Sequence, residues 1–110
     1  MEIKQLDPDF SVAGQIEATD VKAIADAGYK SLICNRPDTE EGAVAHGEIE
    51  TAANAAGLVF SFIPVVSGQI TPQDVDDMAA ALAKMPKPVL AYCRTGGRCT
   101  NLYGLVKQAG

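Results

Sequence analysis

Between Val89 and Cys99 the chain reads Val-Leu-Ala-Tyr-Cys-Arg-Thr-Gly-Gly-Arg-Cys. An apolar run of strand length leads into Cys93, a short glycine-bearing loop follows, and the pattern predicts a helix from near Arg98 to Gln108. At a helix start several backbone N–H groups lack internal partners, and the helix dipole favours negative charge. Gly96 and Gly97 let the backbone curl there with positive φ, and the Arg98 guanidinium adds a fork of donors that fits an oxyanion. The same cradle favours a thiolate on Cys93, because thiols at helix N-termini titrate well below their ordinary value. The chemistry implied is a cysteine nucleophile acting on a small anion, with Arg94, Thr95, Gly96 and Gly97 as the anion-binding residues around it.

Arginine placement agrees. The chain has three arginines, Arg36, Arg94 and Arg98, and two of them lie in this loop. Arg36 ends another apolar run, and ligand crevices of open α/β sheets lie at the C-terminal ends of the strands, so Arg36 is expected to face the same site. Asp38 follows on a loop expected to overhang it, either as an acid–base group or, preferred, as a carboxylate that orients an arginine. A strand-final cysteine is by itself an ordinary small core residue; the glycines and arginines after Cys93 are what set it apart. Cys99, inside the predicted helix, reads as packing, with a resolving thiol as its alternative. Cys34 ends a strand expected beside that of Cys93, and a resolving role is open to it as well. His46, in His46-Gly47-Glu48, lacks the Pro-Cys-x-x-Cys half of a zinc deaminase signature and reads as solvent-exposed. Glu40, Glu41, Glu48 and Glu50 read as a solvated face. Cys-x-x-Cys, His-Glu-x-x-His and Walker A patterns are absent from the sequence, so neither a metal nor a nucleotide cofactor is expected.

Elements able to hold such a loop are legible around it. Ile3, Phe10 and Val12 flank the turn Asp7-Pro8-Asp9. Thr19 reads as an N-cap before Val21, Ile24 and Ala25, with Gly28 as the stop. Ser31 to Asn35 is a short strand ended by Arg36-Pro37, and residues 38–46 read as a surface loop. A helix is expected from Gly47 to Ala56. Leu58 to Pro64 is apolar almost throughout, as expected of a central strand covered on both sides. Val65 to Ile70 is a loop, and Thr71-Pro72 opens a helix carrying Val75, Met78, Ala79 and Leu82, ended by Pro86 and Pro88. Strands alternating with helices argue an α/β sandwich around a mostly parallel central sheet.

The chain has 110 residues, a formal charge of −5 and a pI near 4.6. One domain over residues 1–110 is expected. An acidic chain without a basic run is a poor partner for nucleic acid or an anionic membrane. No signal peptide is read at the start, the longest apolar stretch falls far short of a membrane span, and an odd count of three cysteines argues free thiols. A cytoplasmic setting is expected.

Asn35-Arg36-Pro37-Asp38, Phe62-Ile63-Pro64-Val65, Gly68-Gln69-Ile70-Thr71 and Tyr92-Cys93-Arg94-Thr95-Gly96-Gly97-Arg98, in that order, resemble the domain-of-unknown-function 442 family. This is the beta-lactamase-hydrolase-like, phosphatase-like domain, often labelled a sulfur transferase. Ile3-Lys4-Gln5-Leu6 and Gln15-Ile16 fit too, so the resemblance covers essentially the whole chain. It implies a compact dual-specificity-phosphatase-like fold, Cys93 as nucleophile and Arg98 as anion-binding arginine. The spacing Cys93-x4-Arg98 is one residue shorter than the loop of cysteine phosphatases and is similar to that of rhodanese sulfurtransferases. The segment Phe62 to Gln69 also lacks the aspartate that phosphatases of this fold use as general acid, help typically worth 10²–10⁴-fold.

The preferred expectation is a sulfurtransferase carrying sulfane sulfur as a Cys93 persulfide, its partners a small anionic sulfur donor and a thiol acceptor. The first alternative is a cysteine-dependent phosphatase acting on phosphoesters, with Asp38 as substitute acid. The second is a non-catalytic anion-binding or redox module in which Cys93 pairs with Cys99 or Cys34.

Overall fold

The computed structural model describes residues 1–109. Its element order is β1 (Ile3–Asp7), β2 (Phe10–Ala13), α1 (Val21–Asp26), β3 (Ser31–Cys34), α2 (His46–Ala55), β4 (Val59–Phe62), α3 (Pro72–Lys84), β5 (Val89–Tyr92) and α4 (Gly97–Ala109). The sheet runs β1-β2-β5-β3-β4, antiparallel only between β1 and β2. Side chains alternate across each strand. Val89, Ala91 and Ile33 therefore meet Met78 of α3 and Leu102 of α4, whereas Leu90, Tyr92 and Leu32 meet Ile24 of α1 and Ile49 of α2. Two helices cover each face, which is the expected α/β sandwich.

The most deeply placed strand is β5, all four of whose residues are fully buried between β2 and β3. It aims Cys93 at the C-terminal edge of the parallel strands. The segment expected to be central, Leu58 to Pro64, instead supplies the edge strand β4. Its apolar run reflects Leu58 and Ile63 buried at either end, while Val59 is 44% exposed. Phe60 and Phe62 are only half-buried, against the α1–α2 side of the sheet.

Local signals explain most boundaries. Thr71 caps α3: its Oγ1 accepts from the Asp74 N–H at 3.1 Å, and the Asp74 carboxylate accepts from the Thr71 N–H at 2.9 Å, a reciprocal box with Pro72 in the first turn. Thr19 does not cap α1. A 3-10 turn, Ala18–Asp20, precedes that helix, and the Glu17 N–H donates to the Asp20 carboxylate at 2.8 Å. The lead-in is one turn longer than Thr19 implied. Gly28 does stop α1, at φ +103°. Among the described residues no helix is long and apolar enough to cross a membrane.

Candidate active site

The loop from Cys93 to Arg98 joins the deepest strand to the first turn of α4. Its backbone presses against the end of β2: the Cys93 N–H donates to the Ala13 carbonyl at 3.2 Å, and the Gln15 N–H to the Arg94 carbonyl at 3.2 Å. Two glycines permit this approach. A Cβ on Gly14 would sit 3.0 Å from the Arg94 carbonyl oxygen, and Gly96 takes φ +91° with Ala13 backbone 3.5 Å from where its Cβ would be. That left-handed turn at Gly96 brings its N–H to 3.1 Å from the Cys93 sulfur.

Cys93 is almost wholly buried and reached through a cleft of about 860 Å³ lined also by Arg36, Glu40, Glu41, Gly42, Ser67, Arg94, Thr95 and Arg98. Its thiol is held down at about 5. The chief cause is a hydrogen bond from the Cys99 thiol, which outweighs the opposing effect of burial, and the backbone N–H groups of Cys99, Thr95 and Gly96 add to it. Cys99 itself is fully buried, and burial together with its bond to Cys93 pushes its own thiol well up. The amides that converge on Cys93, the Gly96 N–H at 3.1 Å among them, favour negative charge on that sulfur. Cys99 packs in the same core cluster as Cys93, and its thiol is the chief group lowering the Cys93 value.

One prediction follows from that thiol. Replacing Cys99 with alanine shifts the alkaline-rising limb of Cys93 alkylation upward from about 5, whereas serine, which keeps a hydroxyl donor, largely preserves it. Rates of iodoacetamide labelling at Cys93 against pH, read by peptide mass, give the comparison.

Arg98 donates from Nη1 to Glu40 Oε2 at 2.8 Å and to the Val65 carbonyl at 2.8 Å, and from Nη2 to Glu40 Oε1 at 3.1 Å. Arg36, expected to face the same site, does so. It lines the cleft, but three of its five N–H donors are committed: Nε to Glu40 Oε1 at 3.0 Å, Nη1 to Gln15 Oε1 at 3.0 Å and Nη2 to the Glu41 carbonyl at 2.6 Å. Only 5% of its side chain is exposed. Arg94 and Thr95 remain exposed at the mouth, while Gly96 and Gly97 border a neighbouring cleft on the β2 side of the loop.

Asp38 does not overhang the site and orients no arginine. Its carboxylate accepts from the His46 N–H at 2.9 Å and pairs with His46 Nδ1 at 2.7 Å, at the start of α2. Although desolvation opposes it, these His46 contacts hold the Asp38 carboxyl below its ordinary value. His46, expected in solvent, stacks on Phe62 with ring centroids 3.7 Å apart. Cys34 lies on the strand beside Cys93 but packs on the opposite face of the sheet, among Leu32, Leu90 and Tyr92, and its thiol donates to the Arg36 carbonyl at 3.4 Å. The alternation of side chains across the sheet therefore turns Cys34 away from the nucleophile. The residue that sequence reasoning missed is Glu40, read as solvated and found between two arginines. Hydrogen bonds from Arg98, then those from Arg36, hold its carboxyl below the usual value against desolvation. Among the described residues no cluster of three or more metal-ligating side chains forms.

Over residues 2–110 the chain matches the family described as beta-lactamase hydrolase-like protein, phosphatase-like domain. It is 35% identical over 106 residues to the beta-lactamase hydrolase-like protein of Agrobacterium fabrum strain C58, an alignment covering 96% of this chain and 25% of that protein. The chain thus spans about a quarter of the length of the curated relatives it matches. Among solved structures, a candidate phosphatase from Neisseria meningitidis Z2491 superposes with a TM-score of 0.88 at 37% identity, covering 99% of this chain and 78% of that one. The core catalytic domain of the PP-IP phosphatase SIW14 from S. cerevisiae shares the fold, with a TM-score of 0.75, 13% identity, and coverage of 96% and 64%. The architecture is the phosphatase-like one that the motifs implied. With a full-length family match and this shared architecture, the chain belongs to the phosphatase-like domain family of the beta-lactamase hydrolase-like proteins.

Proposed function

We propose that Cys93 is the nucleophile of a transferase that accepts sulfane sulfur as a persulfide. The observation that carries this reading is the state of the carboxyls. Of the two that line the cleft, Glu40 is ion-paired to both arginines and has no proton to give near neutral pH, and Glu41 is exposed at the rim. Asp38 is spent on α2. A reaction run here needs a leaving group that departs as a stable anion. In sulfur transfer from thiosulfate, the Cys93 thiolate attacks the outer sulfur, the S–S bond breaks, and sulfite leaves with the electron pair. An acceptor thiolate or cyanide then takes the terminal sulfur and restores the Cys93 thiolate.

The low thiol value serves both halves. At pH 7 a thiol titrating at about 5 is about 99% ionised, against roughly 1% at a value of 9. Intrinsic nucleophilicity falls with pKa at a Brønsted slope of about 0.4–0.5, so over four units the gain in the first step is nearly cancelled. The second step keeps its benefit, because Cys93 is then the leaving group and a weakly basic thiolate leaves faster.

A second reading, favoured by the family and by the phosphatase names of the structural relatives, is cysteine-dependent phosphate hydrolysis. The same carboxyl inventory confines it to leaving groups that need no proton, such as acidic phenols or a phosphate released from an anhydride. Two assays separate the readings: thiocyanate formation from thiosulfate and cyanide, and hydrolysis of aryl phosphates with phenols of graded acidity. Sulfur transfer predicts turnover in the first and little in the second. Hydrolysis that falls steeply as the phenol becomes more basic, with no thiocyanate formed, would replace the first reading by the second.

A further inference from the structure

We infer that Glu40 is a positioning residue that presents one edge of the Arg98 guanidinium to the anion, and that Arg36 acts only by anchoring Glu40. The inference rests on reading the cleft as an anion site, and it holds for a sulfur-bearing or a phosphate-bearing ligand alike.

A guanidinium has five N–H donors in a planar fork. Glu40 and the Val65 carbonyl take three of those on Arg98, two from Nη1 and one from Nη2. Nε is buried and has no partner among the described residues. What remains is the edge formed by Nε–H and the second Nη2–H, two parallel donors of the kind that grips an oxyanion bidentately. A buried donor left unsatisfied is costly and calls for an explanation, and a bound anion supplies one. Only 8% of the Arg98 side chain is exposed, so it has little freedom to reach the anion by another path.

The carboxylate that fixes Arg98 is itself fixed. Glu40 Oε1 accepts from Arg98 Nη2 and from Arg36 Nε, and Arg36 is tied in turn to Gln15 and to the Glu41 carbonyl. Two guanidiniums and one carboxylate leave a single positive charge on the trio, in a protein whose formal charge is −5. Glu40 acts on the anion in two opposed ways. Its charge repels the ligand, and its hydrogen bonds aim the donor that binds it. A hydrogen bond between charged partners is stronger than one between neutral groups, whereas a like charge in a solvated cleft mouth is screened, so aiming outweighs repulsion.

The opposed signs give the test. Binding of orthophosphate and of thiosulfate is measured by calorimetry in a Cys93→Ser background, which removes turnover from the readout. Glu40→Gln keeps the shape and loses the charge; Glu40→Asp keeps the charge and shortens the reach. Positioning predicts that both weaken binding, by roughly tenfold for the loss of one charge-assisted bond, and that neither adds a further loss in an Arg98→Lys background. Tighter binding in Glu40→Gln with an unchanged Glu40→Asp would overturn the inference and leave Glu40 as a repelling charge. No measurable binding of either anion before Glu40 is altered would instead sink the reading of the cleft as an anion site.

Discussion

Replacing Cys93 with serine is expected to abolish turnover, a loss of roughly 10³-fold or more, on the scale seen when a nucleophile acting with its surroundings is removed. The serine hydroxyl is smaller than the thiol and fits the same space. Everything that stabilises an anion there, the Gly96 amide at 3.1 Å and the Cys99 donor, is too weak to ionise an alcohol near neutral pH. The substitution leaves the fold intact, because β5 is held through its backbone to β2 and β3, and it leaves the arginine cluster untouched. Mass spectrometry after exposure to a sulfane donor makes the prediction specific. Wild-type protein should gain about 32 Da, one sulfur atom, on the peptide bearing Cys93, and the serine variant should gain none. An adduct on Cys99 or Cys34 instead would move the nucleophile. Both are poorer candidates physically: burial raises both thiols, and Cys34 packs on the far face of the sheet.

The nucleophile was legible in the sequence because its logic is local. A strand, a cysteine, two glycines and a helix start fall within a dozen consecutive residues, and the backbone geometry they require is written in their types. The alternation of elements was legible for the same reason, and so was the Thr71-Pro72 cap. Strand order was not. β4 reads as apolar as β5, and only the pairing of β3 with both shows that β5 lies inside and β4 at the edge. The second half of the site was hidden by distance along the chain. Glu40 meets Arg98 across 58 residues, and in sequence it looks like Glu41 beside it. One local clue existed: Glu40 stands four residues after Arg36, and the pair bonds directly. Asp38 was misplaced because a loop aspartate two residues past a strand end has two uses. Here the free N–H at the start of α2 claims it.

Arg98→Lys is the variant expected to separate anion binding from nucleophile activation. A lysine ammonium is a single charge on a flexible stem and cannot reproduce a planar fork. It would forfeit the paired contact with Glu40, leave that carboxylate with Arg36 alone, and offer the ligand no bidentate edge. Loss of such an electrostatic contact in a preorganised site typically costs about 10²–10³ in rate, and a fall in kcat/KM of that order is expected with any anionic donor. Cys93 should scarcely notice. The groups that hold its thiolate are the Cys99 thiol and the amides of Cys99, Thr95 and Gly96, all of which Arg98→Lys retains. Alkylation by neutral iodoacetamide, measured against pH, should therefore keep the limb near about 5, while alkylation by anionic iodoacetate slows towards the neutral reagent's rate as the cationic fork is lost. If the neutral reagent's limb moved up with the loss of activity, Arg98 would be part of what makes the thiolate, and the division of labour between helix start and guanidinium would have to be redrawn.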